Sequence, residues 1–115
     1  MNEIVNARIT KTQLGFEDHG TFTCFLVLEG NGWCQGFGGR RLDTGPQDTE
    51  SNYGIEFLKG ILKALEIKSW EDLPGTHVRI ERNDNRIYRI GHVVMDRWFC
   101  PAKLKYSLAA QKENP

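Results

Sequence analysis

The feature that most restricts this chain is a pair of strand-like runs joined by Gly30-Asn31-Gly32. In residues 21–29 (TFTCFLVLE), Phe22, Cys24, Leu26 and Leu28 fall on one face of an extended chain. Thr21, Thr23, Phe25, Val27 and Glu29 fall on the other. That two-residue period predicts a strand covered in part on both faces. Gly-Asn-Gly after such a run predicts a hairpin, because these residues accept the positive φ of tight turns. The third strand, Trp33 to Phe37, runs into Gly38-Gly39-Arg40-Arg41. Adjacent glycines there predict a bulge or a close backbone approach.

Residues 3–14 (EIVNARITKTQL) place Val5, Ala7 and Ile9 on one face and predict a half-buried first strand. Residues 15–20 (GFEDHG) read as a turn, and residues 43–52 as a long surface loop. From Tyr53 to Ile67, Phe57, Leu58, Ile61, Leu62 and Leu65 recur at helical spacing, with Ser51 or Asn52 as the expected cap. Ser69-Trp70-Glu71-Asp72 reads as a capped turn in which Ser69 accepts from the N–H three residues on. Residues 76–82 and 86–95 predict a closing hairpin, and Trp98 and Phe99 end the sheet. The order is β-β-β-α-β-β with one main helix. It predicts an α+β fold, either a five-stranded antiparallel sheet or an OB-like barrel. One domain is expected over residues 1–104. Residues 105–115 are expected to fray, with one helical turn available at Tyr106 to Ala110.

With 115 residues, a single domain buries roughly two thirds of its unfolded surface, enough for a core without staples. No apolar run reaches the ~18–20 residues that span a bilayer, and no basic-then-apolar leader opens the chain, so a membrane partner is not expected. Three cysteines without a CxxC pair suit a reducing cytoplasm, with the thiols as small apolar residues. The net charge of zero argues against a broadly basic coat. It conceals an asymmetry. Up to residue 56, four basic residues face eight acidic ones; beyond it, eleven face seven.

The basic excess gathers in the last hairpin. Arg79, Arg82, Arg86, Arg89 and Arg97 alternate there with Tyr88, His92 and Trp98. Guanidiniums and rings on one sheet are what a single-strand groove uses, charge following phosphates and rings stacking on bases. The plainer reading is a solvated face on which Glu81, Asp84 and Asp96 pair with the arginines. Gly38, Gly39, Arg40 and Arg41 form the second candidate, a glycine-exposed backbone followed by two guanidiniums that suits an anion. Its plainer reading is a bulged strand end. Glu17, Asp18 and His19 are weak metal candidates, since neighbouring residues rarely converge on one ion. Cys24, Cys34, Cys100, His77 and His92 lack the close pairing of a zinc site or the context of a thiol nucleophile, so no cofactor is expected.

The run Ala7 to Asp43, with LGFEDHG and QGFGG as its most specific segments, resembles small bacteriophage and prophage proteins, as do Trp70 to Gly75 and Ile90-Gly91-His92. The resemblance implies a phage setting in a bacterial host cytoplasm and carries no catalytic residue. The expected function is a non-enzymatic binding module for single-stranded nucleic acid. The alternatives are a binder of a host protein and a small metal- or thiol-dependent enzyme. Self-association through an exposed strand edge is a further expectation.

Overall fold

A computed structural model describes residues 2–42 and 48–104; for Arg40 and residues 48–52 it gives the course of the backbone only. The strands are β1 (Glu3–Phe16), β2 (Phe22–Gly30), β3 (Trp33–Arg41), β4 (His77–Arg82), β5 (Ile87–His92) and β6 (Trp98–Phe99). The helix α1 (Asp48–Leu65) stands between β3 and β4, and a 3-10 turn covers Trp70–Asp72. The fold is α+β. All strand pairs are antiparallel, in the order β3-β2-β1-β4-β5-β6.

Among the described residues the sheet has six strands, not the expected five. Past His92 the chain doubles back, so that Gly91 pairs with Trp98 and Ile90 with Phe99. A two-residue strand carries no period of its own, which is why β5 was expected to run on to Met95. Among the described residues the backbone ladder runs from β3 to β6 and does not close on itself.

β2 follows its alternation: Cys24, Leu26 and Leu28 are buried. β1 departs from its own. Val5, Ala7 and Ile9 face the core side, but the register shifts between Ile9 and Lys11. Thr10 is the extra residue, and its hydroxyl donates to the Val27 carbonyl (3.2 Å). A bulge of this kind reverses strand parity. Thr12, Leu14 and Phe16 therefore continue the core-side face, opposite Leu26, Cys24 and Phe22.

α1 starts at Asp48, five residues before the expected start, so Ser51 and Asn52 lie within it and neither is its cap. Apolar spacing marks only the stretch that carries apolar residues, and Tyr53 is the first of these in the helix. The remainder of the expected loop, residues 43–47, lies outside the described residues, as does the tail 105–115. The helix ends at Leu65, short of the expected Ile67. Glu66 takes a left-handed φ of 56°, and the Ile67 N–H returns to the Leu62 carbonyl (3.0 Å). In the 3-10 turn the Ser69 side chain makes no cap. Its hydroxyl donates to the Glu71 carboxylate, and the Asp72 N–H bonds to the Ser69 carbonyl instead (3.0 Å).

One face of the sheet holds the core, closed by α1. Phe57 is its centre: stacked on Phe37 of β3 (6.0 Å between ring centroids) and edge-on to Phe99 of β6 (5.2 Å). A single helix residue thus ties the two ends of the ladder. A second tie lies at the start of β3. Arg82 is buried, 8% exposed. Its Nε donates to Gln35 Oε1 (2.6 Å), one terminal nitrogen donates to Glu3 Oε1 (2.5 Å), and the guanidinium lies 4.3 Å from the centre of the Trp33 ring. Gln35 Nε2 in turn donates to the Asn83 carbonyl (2.9 Å). β3 is therefore joined to the β4–β5 hairpin by side chains, not by a ladder. Among the described residues no helix is long and apolar enough to cross a membrane.

Candidate nucleic-acid interface

The face of the sheet away from α1 carries the strongest constellation. In β4, Val78, Ile80 and Arg82 turn inward, which leaves Arg79 and Glu81 outward. Register places Arg79 opposite Gly91 and Glu81 opposite Arg89, and Gly91 opposite Trp98. Gly91 has no side chain, so the indole packs directly against its backbone. A Cβ there would meet Trp98 at 2.6 Å. The Arg89 guanidinium sits 3.9 Å from the indole centre and that of Arg79 5.0 Å. Asp96 accepts from the indole Nε1 (3.0 Å) and fixes the ring in its plane.

The two arginines differ in their partners. Arg89 donates to Glu81 Oε1 (2.7 Å), so its charge is offset. Arg79 donates to the carbonyls of His92 (2.7 Å) and Met95 (2.8 Å), which are neutral. Among the described residues no carboxylate lies within ion-pair distance of Arg79, and its positive charge is retained on this face.

Those bonds also hold the loop 93–97. His92 Nδ1 accepts from the N–H groups of Val94 (3.1 Å) and Met95 (3.0 Å), and the Arg97 N–H returns to the Met95 carbonyl (2.8 Å). The result is a fixed loop with Val93, Val94 and Met95 exposed at its surface. Glu66, at the end of α1, takes the Arg97 guanidinium (2.6 Å) and stands 3.6 Å from His92 Nε2. Sequence reading missed Glu66 and Asp96 as positioning groups. Only the spacing Asp-Arg-Trp hinted at a local bond to the indole.

The remaining candidates do not join this cluster. Arg82 faces the core side and serves the seam with β3. Arg86 covers the Tyr88 ring (4.1 Å) at the hairpin turn, where Tyr88 OH accepts from Asn83 Nδ2 (2.9 Å). Arg97 is held by Glu66. Gly38 and Gly39 have φ of +103° and +88° and mark a bulge, Thr23 pairing with Arg41 and Phe25 with Gly38. A Cβ on Gly38 would stand 2.8 Å from the Cys24 carbonyl, so the close approach is of strand to strand. Arg41 is exposed at this strand end; the Arg40 side chain lies outside the described residues. The segment sits in β3, across the ladder from Trp98.

Glu17, Asp18 and His19 are all exposed in the β1–β2 turn. Among the described residues no group of three or more His, Cys, Asp or Glu side chains is placed to hold a metal ion. Burial pushes the Cys24 thiol up to about 12, so it is protonated and a poor nucleophile at neutral pH. Cys34 is exposed and Cys100 half-buried; all three are free.

The Asn2 amide, donating at 3.0 Å, and the Arg89 guanidinium hold the Glu81 carboxyl below its ordinary range. A depressed carboxyl stabilises the fold above its unfolded pKa, and the contribution is lost as pH falls through the folded value. We therefore expect Glu81→Gln to melt below the wild type at neutral pH, and the gap to close as pH falls below the usual glutamate range of about 4.3. Thermal melts of both proteins at a series of pH values check this; a gap that widens in acid refutes it.

Compared with protein-family models, with curated proteins and with solved structures, the chain matches none.

Proposed function

We propose that the protein is a non-enzymatic binding module for single-stranded nucleic acid, of phage or prophage type and acting in a bacterial cytoplasm. The observation that carries the reading is Trp98, packed against Gly91 on the sheet face away from α1 beside two guanidiniums, one of them without a carboxylate partner among the described residues. Rings and guanidinium planes both stack on unpaired bases, and an uncompensated guanidinium attracts the phosphate beside them. The neighbour order β3-β2-β1-β4-β5 supports an OB-like reading in which the third strand meets the β4–β5 hairpin through Gln35 and Arg82, the last residue of β4, rather than by a ladder.

Fluorescence anisotropy with a labelled thymidine oligomer of about twelve nucleotides, a length within the range such folds cover, tests the proposal. Binding is expected at low salt and weakens as salt rises, because phosphate contacts release counterions. Trp98→Ala should weaken it roughly tenfold or more, the usual cost of losing one stacked base. No binding of any oligomer at low salt overturns the proposal.

A second reading, docking on a host protein, is favoured by the loop 93–97. Its exposed Val93, Val94 and Met95 are held in place by His92 and Arg79, and a fixed apolar loop loses little entropy on binding. In that case Val94→Asp abolishes association with the partner and leaves oligomer binding unchanged.

A further inference from the structure

The same outward face carries a second ring in the same setting as Trp98. Phe25 of β2 alternates with the buried Cys24 and Leu26 and so points away from the core. Its ring lies against Gly36 of β3, where a Cβ would meet Phe25 Cε2 at 3.2 Å. The ring is half-buried by this contact, and Gly36 itself is exposed. Between the two rings runs β1. Lys11, opposite Val27, is exposed on this face, and among the described residues no carboxylate stands within ion-pair distance of it. The path from Trp98 to Phe25 crosses β5, β4 and β1, four strand steps of ~4.8 Å each, or roughly 19 Å of lateral travel.

We infer that Phe25 on Gly36 is a second stacking platform, and that the ligand is a single strand lying across the sheet from Trp98 to Phe25 with its phosphates passing Lys11. This rests on the reading of the Trp98 face given above and adds its extent. Phe25 offers a base the side of its ring turned away from Gly36, and at Trp98 the Arg89 guanidinium over the ring is itself a plane on which a base stacks. Two such rings on one face, with an uncompensated cation near each, suit a ligand that repeats a ring and a phosphate along its length. An oligomer of about four nucleotides, the short end of the site sizes such folds show, occupies one platform; one of about twelve reaches both.

Cys34 provides a direct probe. It is exposed and lies on the same face as Gly36, two residues away along β3. The test uses the full chain with Cys100→Ser, so that Cys34 is the one accessible thiol, Cys24 being buried. Its modification rate by a chromogenic disulfide reagent is measured alone, with a four-nucleotide thymidine oligomer and with a twelve-nucleotide one, each at saturation by anisotropy. The twelve-mer is expected to slow modification at least fivefold and the four-mer to leave it unchanged. Phe25→Leu, which keeps the apolar bulk and removes the ring, should weaken the twelve-mer about fivefold or more and leave the four-mer unaffected. If the twelve-mer binds but neither protects Cys34 nor responds to Phe25→Leu, the second platform is refuted and the Trp98 reading stands. If no oligomer binds at low salt, both fall.

Discussion

Arg82→Ala is expected to lower the folding free energy by about 2–3 kcal/mol. Removing one member of a buried ion pair costs about 3–5 kcal/mol when its partner stays stranded in the interior. Here neither carboxylate partner is stranded: the Glu3 side chain is 54% exposed and Asp84, 3.8 Å away, is fully exposed, so both return to water when the guanidinium is gone, which reduces the figure. Two losses remain. Gln35 Oε1 loses its charged donor, and the Trp33 ring loses the cation against its centre. Arg82→Lys separates these contributions. It keeps the charge but cannot reach Gln35 and Glu3 at once, since only the planar fork presents donors in both directions. We expect it to recover less than half of the loss. Urea denaturation of the three proteins measures this, and an alanine variant within about 0.5 kcal/mol of wild type, the scatter of ordinary surface changes, would show that the seam adds nothing.

Gly38→Ala should cost about 2–5 kcal/mol, from two sources. A non-glycine residue at φ +103° is strained by about 1–2 kcal/mol. In addition the new Cβ meets the Cys24 carbonyl at 2.8 Å, and that oxygen belongs to the backbone of a central strand and cannot rotate away. Overpacking of this kind costs about 1–3 kcal/mol. Gly39 is the internal control. Its φ is +88°, but nothing lies within 4 Å of its Cβ position. Gly39→Asn, with a side chain that tolerates left-handed backbone, should cost under about 1 kcal/mol. The contrast also bears on Gly38-Gly39-Arg40-Arg41 as an anion cradle. If the glycines are there for strand packing, Gly38→Ala unfolds the protein at lower urea and Gly39→Asn leaves oligonucleotide affinity alone. A Gly39→Asn variant that folds normally but loses affinity at least tenfold would restore the cradle.

Much of this fold was legible in residues that repeat. The buried set of β2 stands in the period-two alternation of residues 22–28, and the buried stripe of α1 in the spacing of Phe57, Ile61 and Leu65. What was not legible depends on single residues with no period. The bulge at Thr10 reverses the parity of β1 halfway along, and nothing in the run ARITKTQL announces it. β6 is two residues long and exists because His92, Arg79 and Arg97 fold the chain back. The site divides in the same way. Arg79, Arg89 and Trp98 were placed in one hairpin by sequence, and the register brings them together. Arg82 was grouped with them, yet HVRIER alternates so that Arg82 shares a face with Val78 and Ile80. Its inward orientation was written in the pattern, and grouping by charge concealed it. Gly91 gave no signal at all, because its role is to lie beneath the ring of Trp98, which reaches it only when β6 pairs back onto β5.

The side-chain seam between β3 and the β4–β5 hairpin has a consequence for the chain in crowded solution. β3 is the long terminal strand of the sheet, nine residues with glycine at three positions, the type of strand that invites another chain to pair with it. Arg82 and Gln35 place the molecule's own hairpin across the start of that strand. Shelf life at high concentration, and resistance to aggregation during refolding, thus depend on the same two side chains that fasten the sheet.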